Sequence, residues 1–296
     1  MSEAARGMHR AQGGHVSAGS GPAGNRPGGD ASGGNGPGEN ASTAHVPGRQ
    51  AAARNASVAV VGAGDYIGAA IARRFAREGY VVHCGRRNGD KLAPLVAEIE
   101  AAGGVCVGHT LDARDEIAVA RFMRDADAVA PLEVAVFNIG ANVNVPLLET
   151  TERVFRKVWE LACYAGFLTG REAARCMVTR GRGSILLTGA TASVRGGSGY
   201  AAFASAKFGL RAVAQSMARE LGPHGIHVAH LVIDAGVDTT WVRERIRARG
   251  ADAAHRLEPD RLMDPASIAE VYWQLHQQTR DGWTHELDIR PYGETW

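Results

Sequence analysis

The chain has 296 residues, a net charge of +2 at neutral pH, 45% hydrophobic residues and 22% charged ones. This is the balance of a water-soluble globular protein. It has neither the long basic run of a nucleic-acid surface nor an apolar stretch near the roughly 20 residues of a membrane span, which excludes nucleic-acid and membrane partners.

Residues 7–48 are Gly, Pro, Ser, Asn and Ala with hardly an aliphatic side chain. Such a segment buries too little apolar surface to offset its ordering entropy, so residues 1–55 are expected to be a disordered Gly/Pro-rich tail. It lacks the apolar core of a secretory signal, and Glu3, Asp30 and Glu39 fit a transit peptide poorly. Cys84, Cys106, Cys163 and Cys176 are scattered, with no CxxC pair and no histidine at metal-ligand spacing. Reduced thiols in a cytoplasmic protein without a metal are the expectation.

From residue 56 the pattern changes. An apolar run at 57–61 ends in glycine, as a strand buried on both faces does. A helix follows at 67–78, with Ile67, Ala70, Ile71 and Phe75 on one face and Gly79 as its stop. The periodicity then gives a strand at 80–84, a helix at 91–102 and strands at 105–107 and 132–137. A helix at 152–178, a strand at 184–188 and a helix at 200–221 come next. A strand at 226–233, a helix at 266–277 and a strand at 284–289 complete the series. Alternating strands and helices make parallel βαβ units. Residues 56–296 are therefore expected to form one α/β domain, a Rossmann-type doubly wound parallel sheet of about seven strands with helices on both faces. Ligands of such sheets sit at the carboxyl ends of the strands.

Gly62-Ala63-Gly64-Asp65-Tyr66-Ile67-Gly68 lies between the first strand and the first helix. Gly62 suits the tight turn, Gly64 lets backbone approach a pyrophosphate, and Gly68 allows close helix–strand packing. The helix N-terminus offers free N–H groups to phosphates. The second strand ends in Gly85-Arg86-Arg87, with no carboxylate until Asp90. An acidic residue there would accept the ribose hydroxyls of NAD(H). Two guanidinium groups suit a 2′-phosphate, which favours NADP(H) over NAD(H).

Over residues 56–296 the chain resembles the short-chain dehydrogenase/reductase family. Gly62 and Gly68 fall on the outer glycines of that family's cofactor loop, and Asp112 on the aspartate that touches adenine. Phe137-Asn138-Ile139-Gly140 stands where the family has Asn-Asn-Ala-Gly, and Phe203-Ala204-Ser205-Ala206-Lys207 stands where it has Tyr-x-x-x-Lys. The resemblance implies a nicotinamide cofactor held by Gly62, Gly64, Asp65, Tyr66, Ile67, Gly68, Asp112, Asn138, Gly140, Lys207 and Thr239, with Arg86 and Arg87 at the 2′-phosphate. It also implies a homodimer or homotetramer acting on a small-molecule substrate.

The departures fall on the chemistry. The family's catalytic tyrosine falls on Phe203, its serine on Ala190, its helix asparagine on Ala162 and the middle glycine of its cofactor loop on Tyr66. Its Pro-Gly after the sixth strand reads Ile233-Asp234-Ala235-Gly236. Phe203 has no proton to give and Ala190 cannot hydrogen-bond an oxyanion, so carbonyl reduction by the usual set is not supported. Tyr200 precedes Lys207 by seven residues, which on a helix returns to nearly the same face. This Tyr-x6-Lys spacing is similar to that of the enoyl-thioester reductases of the superfamily. By that resemblance Tyr200 would stabilise an enolate, while Lys207 would hold the ribose and lower the tyrosine's pKa. Ser193 is the candidate replacement for the lost serine.

Asp234 is either a base or, more simply, a helix cap. Arg243, Arg245, Arg247 and Arg249 lie where the family has a mobile substrate lid, either meeting an acidic substrate such as a phosphopantetheine thioester or forming a solvated helix face. His227 and His230 show no metal spacing. Three functions remain open: an NADP(H)-dependent oxidoreductase acting on a conjugated C=C, a non-redox cyclase, isomerase or lyase on the same scaffold, and a catalytically silent nucleotide-binding protein.

Overall fold

The computed structural model describes residues 55–294. Its strands are β1 (Ser57–Val61), β2 (Val81–Arg86), β3 (Val105–Thr110), β4 (Leu132–Phe137), β5 (Gly183–Thr188), β6 (Ile226–Ile233) and β7 (Glu286–Ile289). They form one sheet in the order β3-β2-β1-β4-β5-β6-β7, and every pairing is parallel. Strand order reverses between β1 and β4, so the crevice at their carboxyl ends is where a ligand binds in such a sheet. All the described residues belong to one compact unit. The tail expected at residues 1–55 lies, except for residue 55, outside them.

The helices are α1 (Ile67–Arg77), α2 (Ala93–Ala101), α3 (Glu116–Val129), α4 (Glu152–Trp159), α5 (Ala165–Met177), α6 (Ala201–Leu221), α7 (Thr240–Arg247) and α8 (Pro265–His276). The period-two alternation of β1 divides them between two faces. Val58 and Val60 pack with Ile71 and Phe75 of α1, Leu95 of α2 and Tyr272 of α8. Ala59 and Val61 pack with Phe122 of α3, Leu168 of α5 and Leu210 of α6. With β1 fully buried on both sides, its continuous apolar run is explained. None of the described helices is long and apolar enough to cross a membrane.

The elements expected from periodicity are present, with shifted ends at several strands, the added helix α7 and four further differences. Helix α3 was not anticipated. Its signal is nonetheless in the sequence: Asp115 caps it by accepting from the N–H groups of Ile117 and Ala118, and Val119, Phe122, Met123 and Ala126 form its buried stripe. The expected helix at 152–178 is α4 and α5 joined by a π turn, Glu160–Tyr164, that buries Ala162 and Cys163. The expected helix at 91–102 opens as a 3-10 turn, Gly89–Leu92, before α2. Tyr200 immediately precedes α6, with no side-chain capping hydrogen bond, instead of lying within it.

Candidate active site

The loop between β1 and α1 is fixed by its own backbone. The N–H groups of Gly62 and Ala63 both donate to the carbonyl of Gly85, at 2.9 and 3.1 Å, stapling the turn to β2. Gly62 has φ +89°, and a Cβ there would stand 2.7 Å from the Asn138 carbonyl oxygen. Only glycine meets both conditions. A Cβ on Gly68 would stand 2.6 Å from the Ala63 Cα, so α1 could not approach the turn with a larger residue. Asn138 ties three strand ends together. Its N–H donates to Val61 O (2.8 Å), its side-chain amide to Gly62 O (3.2 Å), and its amide oxygen accepts from the Thr188 hydroxyl (3.3 Å).

Beside this knot is a cleft of about 600 Å³ lined by Gly62, Gly64, Arg86, Arg87, Asp112 and Gly140, among others. A Cβ on Gly64 or on Gly140 would meet nothing within 4 Å. Packing does not require glycine at either place, whereas a ligand lying on the backbone would. No side chain caps α1 at Tyr66, which leaves first-turn N–H groups of Ile67 and Gly68 for an anion. These features fit a dinucleotide with its pyrophosphate over the loop.

The charges at the end of β2 are more mixed than the sequence implied. Arg86 donates to Asp65 at 2.7 Å, so part of its charge is already neutralised. Arg87 is exposed and lines the cleft, and so does Lys91, which was not among the expected residues. Its signal was a third cation in the turn after Arg86-Arg87. Asp112 is gripped by Arg114 through two side-chain contacts of 3.0 and 2.6 Å, which hold its carboxyl below the usual range.

Lys207 is 1% exposed. Its ammonium donates to the carbonyls of Thr188 (2.7 Å) and Ile139 (3.1 Å) and lies 6.0 Å from the ring centres of Phe137 and of Phe203. Burial pushes its pKa down to about 7, opposed by nearby Cys163. Phe203 is itself buried, among Ala192, Ala206 and Cys163.

Tyr200 lines a different cavity, of about 430 Å³, with Gly236, Trp241, Arg245 and Arg249. The two residues of the Tyr-x6-Lys pair therefore stand at the same end of α6, but the hydrogen bonds of Lys207 go to strand carbonyls. Ser193 is fully buried, and its oxygen accepts from the Ala190 N–H at 3.1 Å; neither it nor Lys207 lines either cavity.

Thr239 caps α7, its hydroxyl oxygen accepting from the Val242 N–H at 3.1 Å. The phenol oxygen of Tyr66 accepts from the Thr240 N–H at 3.1 Å, which clasps the cofactor loop to the same helix start. Asp234 caps no helix, contrary to the simpler expectation. It is buried and accepts from the Thr191 hydroxyl at 2.5 Å, with Arg195 and Arg290 at 3.6 and 3.5 Å. Of the four lid arginines, Arg243 pairs with Asp238, Arg247 is exposed outside the cavity, and Arg245 and Arg249 line it. Arg256 and Arg261, not expected, line it too. His230 is buried with its pKa lowered to about 4 and bonds the Glu286 carboxylate, while His227 stacks on Trp283.

A family model described as short chain dehydrogenase matches residues 56–249. A solved short-chain dehydrogenase from Rhodopseudomonas palustris is 62% identical. The alignment covers 81% of this chain and all of that one, with a TM-score of 0.70. A metagenomic short-chain oxidoreductase solved in complex with NADP is 25% identical over 81% of this chain and 98% of that one, with a TM-score of 0.65. The 1-deoxy-11-beta-hydroxypentalenate dehydrogenase of Streptomyces exfoliatus is 31% identical over 73% of this chain and 77% of its own length. The chain spans 58% to 83% of the length of eight of its curated relatives.

Proposed function

Because the chain belongs to the short-chain dehydrogenase family, a family of oxidoreductases, we propose that it is an NADP(H)-dependent reductase of a conjugated carbon–carbon double bond, with Tyr200 and Lys207 as its working pair. The observation that carries the reading is a pair of spaces lined by consecutive residues, Ala141 in one and Asn142 in the other. One is a glycine-lined cleft; the other is a pocket walled by Tyr200 and α7. The NADP-bound relative supports the choice of cofactor, as do Arg87 and Lys91 beside Arg86.

Bound NADPH supplies a hydride. Gly62, Gly64, Ile67 and Gly68 would hold its pyrophosphate through backbone, Asp112 its adenine, and Asn138, Gly140 and Thr239 the strand-end side of the nicotinamide half. The Tyr200 phenol would donate a hydrogen bond to the substrate's carbonyl oxygen as enolate charge develops there, and the α-carbon then takes a proton from solvent. Lys207, which lines neither cavity and donates to two carbonyls, would release one of them to reach the ribose. Ser193 serves the loop fold in this reading. Phe203 and Ala190 supply neither proton nor oxyanion donor, which is why a conjugated C=C is preferred to a ketone.

The test is titration with NADPH and NADH, followed by NADPH consumption against enoyl thioesters, enones and ketones. Tyr200→Phe should bind NADPH normally and lose turnover; an unchanged rate removes Tyr200 from the chemistry. A second reading, nucleotide binding without turnover, is favoured by the Lys207 hydrogen bonds, which go to carbonyls and not to a phenol. Binding with no consumption on any substrate would select it. Exposed Phe155, Trp159 and Phe208, each 41% accessible, support a homodimer or homotetramer through α4 and α6. A reducing, cytoplasmic setting suits the four unpaired thiols.

A further inference from the structure

We infer that the substrate carries an anionic group, phosphate or carboxylate, and that Arg245, Arg249 and Arg256 hold it in the pocket beside Tyr200. The inference rests on the proposed reductase only for the reacting end of the substrate; the anion site has its own geometry.

Along α7 the chain repeats every four residues: Trp241, Arg245 and, just past the last turn, Arg249. This spacing puts the three on one side of the helix, and all three line the pocket. Buried Ile246 anchors α7 from within, and the 3-10 segment Ala251–Leu257, anchored by buried Ala253, turns Arg256 back to the same cavity. Four arginines therefore face one space, with Glu294 as the single carboxylate in its lining.

Other arginines, such as Arg219 and Arg247, also have no ion pair among the described residues, but Arg245, Arg249 and Arg256 line one pocket together. Arg243, two residues before Arg245 and so on the other side of the helix, is neutralised by Asp238. Arg73, Arg74, Arg114, Arg171 and Arg211 also have carboxylate partners. Among the described residues, no carboxylate stands within ion-pair distance of Arg245, Arg249 or Arg256. Arg261 is already engaged: it donates to the Gly293 carbonyl at 2.5 Å and stands 3.8 Å from Glu258. The Arg245 guanidinium lies 5.2 Å from the centre of the Trp241 ring, which keeps its fork in place. Uncompensated cations around a cavity raise its potential and draw in anions. A guanidinium fork also matches both oxygens of a phosphate or carboxylate. With Tyr200 on the same wall, a substrate anchored by its charge presents its other end to the phenol.

The experiment is calorimetric titration of the full chain, with and without saturating NADP+ to occupy the other cleft, using three probes: crotonyl-pantetheine, its 4′-phosphate and glutaconyl-pantetheine. The first is neutral, the second adds a phosphate and the third a carboxylate. At least one charged probe should bind about tenfold more tightly than the neutral one, and the tighter of the two identifies the source of the charge. High salt or Arg249→Ala/Arg256→Ala should abolish the difference. Arg247→Ala, on the same helix but outside the pocket, should preserve it. Equal binding of all three, or a preference that survives the double substitution, overturns the inference. A charge preference with no NADPH consumption supports the anion site while sinking the proposed reductase. Equal turnover of neutral and charged probes does the reverse.

Discussion

Gly62 and Gly64 stand two residues apart in one loop, yet the same added methyl should have opposite effects. At Gly62, φ +89° and a Cβ 2.7 Å from the Asn138 carbonyl and 2.8 Å from an Ile139 side-chain carbon both oppose alanine. The left-handed backbone costs about 1–2 kcal/mol, and forcing a methyl into filled space costs about 1–3 kcal/mol more. Gly62→Ala should therefore lose about 2–5 kcal/mol of stability, and at about 2–4 °C per kcal/mol for a domain of this size the melting temperature should fall by about 4–20 °C. Gly64 is not in the left-handed region and its Cβ would meet nothing within 4 Å. Gly64→Ala should melt within about 1 kcal/mol of wild type, or slightly above it, because alanine lowers the entropy of the unfolded chain. Its methyl would instead project where a pyrophosphate lies, so NADPH affinity should drop by about tenfold or more, since 1.4 kcal/mol is tenfold. Thermal melts with and without NADPH, together with a fluorescence titration, read both effects. If Gly64→Ala melts as low as Gly62→Ala, or binds NADPH as wild type does, the assignment of the open side of this loop to phosphate is wrong.

Three further outcomes follow from the site. Lys207 titrates near pH 7 when folded, against an ordinary 10.5. Between those values the unfolded chain binds the extra proton, so its contribution to stability rises with pH across that window, and the full burial penalty applies below it. Lys207→Met should flatten that rise in a series of melts; an unchanged slope would refute it. Phe203→Tyr with Ala190→Ser restores a phenol and a hydroxyl beside Lys207 and should introduce NADPH-dependent ketone reduction. A correctly folded double variant with none would show that Lys207 is not oriented for the usual chemistry. Thr239→Ala removes the cap of α7 at a cost of about 0.5–2 kcal/mol, which should appear as faster amide exchange confined to α7 and its neighbours.

Much of the fold was legible because buried parallel strands and amphipathic helices carry their environment in their periodicity. The run 57–61 reads as a doubly covered strand because Val58 and Val60 meet one layer of helices while Ala59 and Val61 meet the other. Helix α3 was equally legible in Asp115, Val119, Phe122, Met123 and Ala126. The π turn was not, since nothing in Glu160–Tyr164 distinguishes a wide turn from an α-helical one. At the site, the glycines and Asp112, Asn138 and Lys207 stood out by motif. Asp234 looked like a cap from its place after a strand, but its partners Thr191 and Arg290 come from other segments.

The sequence alone determined the order of the strands, the sheet edge expected to take a ligand and the glycine turn at that edge. Each of these depends on residues within a few positions of one another. Tertiary structure decided which charges are free. Arg86 meets Asp65 from 21 positions away, Lys207 reaches the carbonyl of Ile139 across 68, and Tyr66 clasps the start of α7 across 174. It also brought Arg256 round to the pocket of Arg245 and Arg249 while leaving Arg243 to Asp238. Charge and proton chemistry depend on burial and on what lies a few ångströms away. Those distances exist only once the chain has closed on itself.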